Sequence, residues 1–471
     1  MKKISALIFT ISICVYSILH FINLGYPFAL SSFLLSLIGF ISLLSGLITL
    51  HIKKMAIPLF LVIAMLTITF ATDLPLIESI LEGTTEMSGL ISLLLIVPMI
   101  SWTLRDEPYI ESVMSCARNI LNTSQKFYFG MLAITQIITY FLLFGSIPMV
   151  YQLVNDFLSG KKGEAWDNYR STALLRGFAL TTMWVISMPS FVFAVDHLGA
   201  SLGISILQGF IISLCGILLA SLFLRFQEKR YGIDLTSGIK EEIRRIVDNS
   251  TSIKDANKKA LQFGLLFISL FGSIIIIHST LKWELLVVIP PVIVVWTFVY
   301  FLVKRKSTKF LHHCKQYMFK DMQGQAQQFS IMLSAGMFIY AVNQSGLGHT
   351  LVDLIFFIAD SIPFINVLWI IPIVVILLGY LGLGPLVVIV LVAGILEHVS
   401  LPYPPELVVL SITSGSVLSV LLSPFILPVI VLSAANGLSL FKNGLRFNFG
   451  YAIVFYIIVQ TYLQIMIHLK V

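Results

Sequence analysis

The chain has 471 residues, of which 58% are hydrophobic and only 11% are charged, and its mean hydropathy is +0.96. A soluble protein carries about 25% charged residues, so this composition excludes a soluble globular fold. The net charge of +7 does not indicate nucleic-acid binding, because the basic residues lie in loops between apolar segments, as the positive-inside rule describes. The four cysteines are scattered and predict neither a disulfide framework nor a metal site.

Apolar segments of about 18 residues or more recur along the whole chain, and each is long enough to cross a bilayer core as a helix. The sequence lacks the alternating strand pattern of outer-membrane barrels. We therefore predict an all-α polytopic membrane protein with about 11–14 membrane segments. In chain order the candidate segments are 4–23, 28–50, 55–72, 87–104, 127–153, 171–196, 201–225, 259–280, 283–303, 326–345, 350–383 (one segment or two short pieces), 384–399, 405–436 and 447–468.

The charges of the loops predict how the first segments cross the membrane. Lys2, Lys3 and Lys54 place the N-terminus and the second loop in the cytoplasm, because cytoplasmic loops are enriched in Lys and Arg. The loop 73–86 contains neither residue and is expected outside. The first apolar run leads into the second segment without a small-residue cleavage site, so we interpret it as a retained helix. The expected location is the cell membrane, inner or plasma, with a cytoplasmic N-terminus.

A polar insert divides the chain into two halves of similar length. Residues 225–259 contain nine basic and six acidic residues, and KEEIRRIVDN within them has the pattern of an amphipathic helix at the cytoplasmic surface. We predict an N-terminal membrane repeat over 1–225, a cytoplasmic amphipathic linker over 226–258 and a C-terminal membrane repeat over 259–471.

The number of segments in the first half conflicts with these charges. Seven full crossings would place the N-terminus and the insert on opposite sides of the membrane, although both are expected in the cytoplasm. The segment 127–153 contains Gly145-Ser146-Ile147-Pro148, which favours a bend. A re-entrant hairpin at this segment would resolve the conflict.

Each half also contains one segment that is interrupted in a similar way. The two segments are LTTMWVISMPSFVFAVDHLGASLG (180–203) and ITSGSVLSVLLSPFILPVIVLSAANGLS (412–439). Each has a hydroxyl cluster, a proline in its middle (Met188-Pro189-Ser190 or Ser423-Pro424-Phe425) and a final turn of small and polar residues. Proline breaks a helix, and backbone groups freed at membrane depth need protein, water or a ligand as partners. Interrupted segments in corresponding positions of two halves are typical of secondary-transporter sites. Ordinary packing is the alternative, because Pro, Gly, Ser and Thr also occur in uninterrupted transmembrane helices.

Three stretches of the second half are similar to a known group of transporters. FSIMLSAGMFIYAVNQSGLGHTLVDLIFFI (329–358), LLGYLGLGPLVVIVLVAGIL (377–396) and SITSGSVLSVLLSPF (411–425) resemble the C-terminal half of ion transporter superfamily permeases. That group includes the arsenite exporters, the citrate and dicarboxylate symporters and the gluconate permeases. The resemblance implies two inverted repeats, each with a re-entrant hairpin and a broken helix, that move an anion together with Na⁺ or H⁺. The Ser-Asn-Thr motif of the dicarboxylate symporters has no clean copy here.

These observations predict a secondary active transporter of a small, anionic solute, coupled to Na⁺ or H⁺, with alternating access around a midplane site formed by the two broken segments. No catalytic residue, metal site or cofactor is expected beyond the coupling ion, and the partners are the solute and the lipid bilayer, with a homodimer left open. The candidate substrate- or ion-binding residues are Thr181, Thr182, Ser187, Pro189, Ser190, Asn343, Gln344, Thr413, Ser414, Gly415, Ser416, Ser423, Pro424 and Asn436.

Other polar residues leave alternatives open. Arg176 opens a broken segment and is interpreted either as a contact for an anionic substrate or as a cytoplasmic anchor. The pairs Asp196-His197 and Glu397-His398 stand at segment ends, where they either couple protons or are solvated. The competing function is an integral-membrane enzyme or lipid-handling protein, such as a polyprenyl-lipid transferase or a flippase. Zinc-protease and redox-cysteine motifs are absent from the sequence, so we expect no enzyme.

Overall fold

A computed structural model describes residues 2–105, 107, 109, 112–113, 121–158, 160–247, 253–361 and 366–469. Every regular element in these ranges is a helix, which confirms the all-α prediction for them. Before the polar linker the helices are α1 (Lys2–Gly25), α2 (Ala29–Thr49), α3 (Ile52–Ala71), α4 (Leu76–Thr85), α5 (Ser88–Ile96), α6 (Pro98–Arg105), α7 (Ser124–Leu142), α8 (Ser146–Phe157), α9 (Glu164–Thr181), α10 (Pro189–His197) and α11 (Leu202–Tyr231).

The linker and the second half are helical as well. The helices are α12 (Leu235–Val247), α13 (Ile253–Leu281), α14 (Leu285–Val303), α15 (Ser307–Gln316), α16 (Met322–Gly324), α17 (Ala326–Gln344), α18 (Leu347–Ser361), α19 (Val367–Tyr380), α20 (Pro385–Leu396), α21 (Pro405–Leu422), α22 (Leu427–Asn436) and α23 (Phe447–Leu469). Two π-helices, π1 (Tyr317–Asp321) and π2 (Lys442–Arg446), precede α16 and α23. The amphipathic helix expected in the linker begins within α12, and its residues 248 and 249 lie outside the described residues.

Nine helical spans in the described part of the chain are long and apolar enough to cross a membrane. The multi-pass membrane class is therefore confirmed, while the count by length and composition is smaller than the predicted 11–14. The remaining predicted segments are either shorter, as α19 and α20 are, or more polar, as α9 is. The nine spans are Ile4–Gly25, Ala29–Thr49, Lys54–Ala71, Leu76–Leu104, Leu202–Tyr231, Asn257–Leu281, Leu285–Val303, Pro405–Asn436 and Lys442–Leu469.

The chain divides into two compact units. Unit 1 comprises Met1–Thr103, Ser273–Pro363 and Val390–Leu401, and unit 2 comprises Leu104–Gly272, Phe364–Ile389 and Pro402–Val471. Each unit takes residues from both sides of the linker, so the compact units do not coincide with the predicted halves. The internal symmetry that two membrane repeats imply stays a prediction.

Unit 1 is held together by close approaches of helix backbones at small residues. Helix α1 packs on α2, and α17 packs on α2, α3 and α4. A Cβ atom on Gly83 would lie 2.6 Å from the Met337 Cα, and one on Gly336 would lie 2.6 Å from the Gly83 carbonyl oxygen. The Tyr16 hydroxyl donates a hydrogen bond to the Thr84 carbonyl. Glycines at such crossings let transmembrane helices approach closely and gain van der Waals contact.

Unit 2 contains helices in an order that occurs twice along the chain. Helices α7 to α11 are followed later by α19 and by α21 to α23, and in each set a helix of 18 residues (α9, α21) precedes a short one of 9 or 10 residues (α10, α22). The boundary between the two units falls within α20, after Ile389. Within the unit, α9 packs on α7 and α11, and α21 packs on α19 and α23. The two 18-residue helices also pack on each other. Unit 2 therefore contains both of the interrupted segments that the sequence singles out.

The bend expected in segment 127–153 is present. Helix α7 ends at Leu142, a 3₁₀ turn covers Leu143–Gly145, and α8 begins at Ser146 and packs back on α7. Leu143 has φ = +48°, a left-handed conformation that L-residues rarely adopt. The return of this hairpin to the same membrane face stays a prediction.

Candidate functional site

Two helices of unit 2 are interrupted, as the prolines predict. We name the chain over 164–197 the first broken segment; its helices α9 and α10 are separated by residues 182–188. The second broken segment covers 405–436, and residues 423–426 separate its helices α21 and α22. Pro189 is the first residue of α10 and Pro428 the second residue of α22, positions where the missing N–H is not needed.

The two broken segments run antiparallel to each other. Near the start of the first segment, Ser171 Oγ accepts a hydrogen bond of 2.9 Å from Nδ2 of Asn436, at the end of the second. Just past the end of the first segment, the Ser201 N–H donates at 2.9 Å to the carboxylate of Glu406, at the start of the second. Thirty residues separate the two anchor points in each chain segment, so the first break, 182–188, lies level with about 419–425. The two breaks are therefore at nearly the same depth of unit 2.

Each break is joined to a neighbouring helix by hydrogen bonds. In the first break, Ser187 Oγ donates a hydrogen bond to the Tyr140 carbonyl of α7. In the second break, Ser423 Oγ donates to the Gly379 carbonyl of α19 at 2.9 Å, and the Tyr380 hydroxyl donates to the Leu422 carbonyl at 3.2 Å. Each break is thus fastened to the first helix of its set, α7 or α19, which fixes the positions of the half-helix ends.

Four of the predicted hydroxyls are engaged within their own helices. Thr181 and Thr182 donate to the carbonyls of residues 178 and 179, and Thr413 and Ser414 donate to the carbonyls of residues 409 and 411. Such bonds to the preceding turn are common for Ser and Thr in helices. These oxygens retain acceptor lone pairs, so a role as cation ligands stays a prediction.

Gly415 has a packing role in the structure. A Cβ atom there would lie 2.7 Å from the Pro372 Cα and 3.0 Å from the Pro372 carbonyl oxygen, so α21 and α19 touch at their backbones. Four residues on either side, Ser411 and Ser419 lie on the same face. Ser411 donates to the Leu368 carbonyl of α19 at 2.9 Å. Small residues at a four-residue spacing allow this close crossing.

Several buried polar atoms near the breaks have no hydrogen-bond partner among the described residues. They are Ser416 Oγ and Ser419 Oγ in α21 and Trp184 Nε1 in the first break. Helix α11 adds Ser205 Oγ and Gln208 Oε1, and its next residue, Gly209, touches the first break: a Cβ atom there would lie only 2.1 Å from the Met183 carbonyl oxygen. Buried polar atoms are normally satisfied, so these atoms are candidate contacts for a ligand.

Arg176 in α9 is fully buried, at 0% exposure. Its Nε donates to Asn448 Oδ1 at 3.0 Å, its Nη1 to the Tyr128 hydroxyl at 3.1 Å and its Nη2 to the Phe447 carbonyl at 3.2 Å. The guanidinium carbon lies 4.3 Å from the centre of the Tyr451 ring. All four partners are uncharged. Burial of an ion costs several kcal/mol, and hydrogen bonds that involve a charged group return about 1.5–3 kcal/mol each, so the fold retains this cation at little net gain.

Arg176 is linked to the second break through Asn448. The Asn448 amide donates to the carbonyls of Asn443 at 2.9 Å and Gly444 at 3.1 Å, both in π2. Gly444 lies against the last turn of α21, since a Cβ atom there would be 3.5 Å from the Leu422 carbonyl oxygen. One hydrogen-bonded side chain and one backbone contact therefore connect the buried guanidinium to the second break.

Asn436, a predicted site residue, belongs to the same polar network. Its Nδ2 donates to Asn443 Oδ1 at 2.8 Å, and Asn443 Nδ2 donates to Asn436 Oδ1 at 3.0 Å and to Ser433 Oγ at 2.9 Å. Asn443 is fully buried. Asn436 also ends α22 beside Gly437, whose φ of +71° suits a helix C-cap. The network joins the end of the second broken segment to π2.

A charged cluster lies at the start of α9. Glu164 accepts from Lys442 Nζ at 3.0 Å and pairs with Arg446 Nη2 at 3.3 Å. The hydrogen bond from Lys442, helped by the charges of Lys442 and Arg446, holds the pKa of the Glu164 carboxyl below its ordinary value. One carboxylate is shared by two cations here, and a second carboxylate, Asp167, lies in the same first turn of α9.

The remaining predicted site residues occupy separate surroundings. Asn343 and Gln344 lie in unit 1, where Asn343 Nδ2 donates to the Gly394 carbonyl at 3.1 Å and contacts His398 Nδ1 at the same distance, while Gln344 is exposed. Ser190 is buried in the first turn of α10. Pro424 lies inside the second break.

The hydroxyl clusters of the two segments do not occupy equivalent positions. Thr181 and Thr182 stand at the first break, whereas residues 413–416 lie six to nine residues before the end of α21. Ser423 is the hydroxyl at the second break. The two hydroxyl clusters therefore lie at different distances from their breaks, because the spacing of hydroxyls along a helix does not show which of its turns is the last.

Sequence inspection identified the breaks but missed Ser419, Trp184, Ser205 and Gln208. The signal for Ser419 was available in the four-residue spacing from Ser411 and Gly415, whereas the others depend on contacts between distant helices. No protein-family model and no curated protein matches this sequence.

Proposed function

We propose that this protein is a secondary active transporter of a small, anionic solute, coupled to Na⁺ or H⁺. The observation that carries the proposal is the pair of antiparallel broken segments whose breaks lie at the same depth of unit 2. Transporters built from inverted repeats bind solute and coupling ion between two interrupted helices arranged in this way. The repeated order of α7–α11 and α19–α23 supports inverted repeats of the ion transporter superfamily type, with α7 and α8 as a re-entrant hairpin.

The half-helix ends supply the chemistry that such a site needs. The N-termini of α10 and α22 present backbone N–H groups and a partial positive charge suited to an anion. The C-termini of α9 and α21 present carbonyls suited to a cation. The polar atoms without partners, such as Ser416 Oγ and Gln208 Oε1, offer further contacts. Exposure of these groups first to one side of the membrane and then to the other would give alternating access.

A ligand screen followed by an uptake assay tests this function. Purified protein is heated in the presence of sodium or choline salts, organic acids and oxyanions, because a ligand that binds the native state raises the melting temperature by mass action. A compound that stabilises the protein is then offered to proteoliposomes with an imposed Na⁺ or proton gradient. We expect accumulation inside the vesicles that stops when the gradient is collapsed.

Accessibility of the breaks provides an independent readout. Single cysteines that replace Pro189 and Pro424, in a background without the native cysteines, are labelled from outside sealed vesicles. Addition of Na⁺, a change of pH or the stabilising compound should alter the labelling rate, and a cysteine at the exposed Tyr26 serves as the control. Unchanged labelling at both breaks, together with no gradient-driven uptake, would refute the transporter proposal.

A further inference from the structure

We infer that Arg176 recognises the transported solute, and that this solute presents a carboxylate or an inorganic oxyanion to the guanidinium. The inference rests on the proposed transport function and adds the recognising residue and the chemical class that it selects. Arg176 is not among the fourteen candidate site residues, and the sequence leaves open whether it contacts an anionic substrate or anchors the helix.

The first argument is the number of donors that the guanidinium has left. An arginine carries five N–H groups, and three of them are engaged, by Asn448, Tyr128 and Phe447. Within the described chain, one N–H on each terminal nitrogen has no acceptor. These two donors remain for the oxygens of a carboxylate or oxyanion, groups that arginine can bind with two N–H donors.

The second argument is the charge balance around α9. Arg170, on the same helix, is buried and bonds to neutral groups, the Asn155 side chain at 3.2 Å and the Leu158 carbonyl at 2.8 Å. Glu164 is already shared between Lys442 and Arg446. Neither buried arginine has a carboxylate among these hydrogen-bond partners, so a small anion would supply an opposite charge to Arg176, the more deeply buried of the two.

The third argument is that the observed hydrogen bonds do not require a charge. The acceptors of Arg176 are an amide oxygen, a hydroxyl and a backbone carbonyl, which a neutral donor satisfies equally well. An ionised group inside a membrane protein is costly to keep and usually marks a substrate or ion pathway. The rings of Tyr451 and Phe223, 4.3 and 5.8 Å from the guanidinium carbon, interact with the positive charge, but none of these contacts supplies a negative charge.

The fourth argument is that Arg176 is held in place and connected to a break. Asn448 is fixed by two carbonyls of π2, and the Tyr451 ring lies under the guanidinium. A group fixed before the ligand arrives loses little freedom on binding. Because Gly444 of π2 touches the last turn of α21, an anion on Arg176 acts on the same contacts that position the second break.

The test measures melting temperature in neutral detergent with acetate, succinate, citrate, phosphate and sulfate as sodium salts, against sodium chloride of equal ionic strength. We expect at least one anion to raise the melting temperature of the wild-type protein. Carboxylates and oxyanions are compared to identify which of the two the site prefers. Arg176→Lys should weaken that anion about tenfold or more, since lysine keeps the charge but loses the two N–H donors. Arg176→Gln should abolish the response, and the matched controls Arg170→Lys and Arg170→Gln should retain it.

An unchanged anion affinity in Arg176→Lys or Arg176→Gln would overturn the inference. Loss of Arg176 can also destabilise the fold, so the wild-type protein is measured in parallel with acetamide and succinamide, neutral analogues of two of the anions. Equal stabilisation by the neutral analogues, or no response to any anion, would overturn it as well. An anion response that depends on Arg176 in a protein without gradient-driven uptake would instead refute the transporter function alone.

Discussion

Replacement of Gly415 by alanine tests the tightest contact in the second broken segment. The added Cβ would meet the Pro372 Cα at 2.7 Å, the Val375 Cβ at 2.8 Å and the Pro372 carbonyl oxygen at 3.0 Å. Two of these atoms belong to backbone, which cannot rotate away, so α19 and α21 must separate. Overpacking of this kind costs up to about 3 kcal/mol. Alanine returns about 1 kcal/mol of helix propensity, which leaves a net loss of about 2 kcal/mol.

The assay follows helix content by circular dichroism as the mole fraction of a denaturing detergent is raised. Gly264→Ala is the matched control, because Gly264 lies inside α13 and a Cβ atom added there would have no neighbouring atom within 4 Å. That variant should gain about 0.5–1 kcal/mol from propensity alone. If Gly415→Ala unfolds at the same detergent fraction as the wild type, or at a higher one, the backbone contact between α19 and α21 is not as close as described.

Four further substitutions test which hydroxyl, carboxyl and amide groups stabilise the fold. Ser423→Ala loses a bond across the second break and should cost about 1–3 kcal/mol in the same unfolding assay, whereas Ser416→Ala, which loses no bond, should unfold as the wild type does. The pKa of Glu164 is depressed in the folded state, so its stabilising effect is present above the unfolded-state pKa and is lost as pH falls through the folded value. Melting temperature should therefore fall less steeply with acidification in Glu164→Gln, and an identical acid slope would contradict the pairing with Lys442. Asn443→Ala should cost about 3 kcal/mol because it removes three buried hydrogen bonds, and a loss below about 1 kcal/mol would show that the network is not formed.

Local chemistry explains how much of the fold could be predicted from the sequence. The two breaks follow from proline, which cannot continue a helix, and the bend after α7 from the Gly145-Ser146-Ile147-Pro148 stretch. The composition of unit 1 and unit 2 could not be foreseen, because it depends on which of many similar apolar helices pack together. Apolar surface carries little information about its partner, so the division into chain halves does not describe the compact units.

The candidate site shows the same limit at the level of single residues. Ser416 and Ser414 are two positions apart in one helix, yet one hydroxyl bonds to its own backbone and the other is left without a partner among the described residues. Arg176 could be interpreted from sequence either as a substrate contact or as an anchor. The hydrogen bond of Arg176 to Asn448 helps to distinguish these two interpretations. Asn448 is 272 residues away in the chain, so a local sequence pattern could not predict this contact.

The two 18-residue helices of unit 2 are alike in length and place but not in chemistry, and this difference predicts a binding stoichiometry. The thirteenth residue of α9 is Arg176, whereas the thirteenth residue of α21 is Val417. Val417 carries no charge, so α21 lacks the buried cation that α9 carries at this position. The anion contact that we infer at Arg176 therefore has no counterpart in the second of the two helices. Equilibrium dialysis with the anion that stabilises the protein should therefore give one bound anion per chain, and saturation at two would show that both halves recognise the solute.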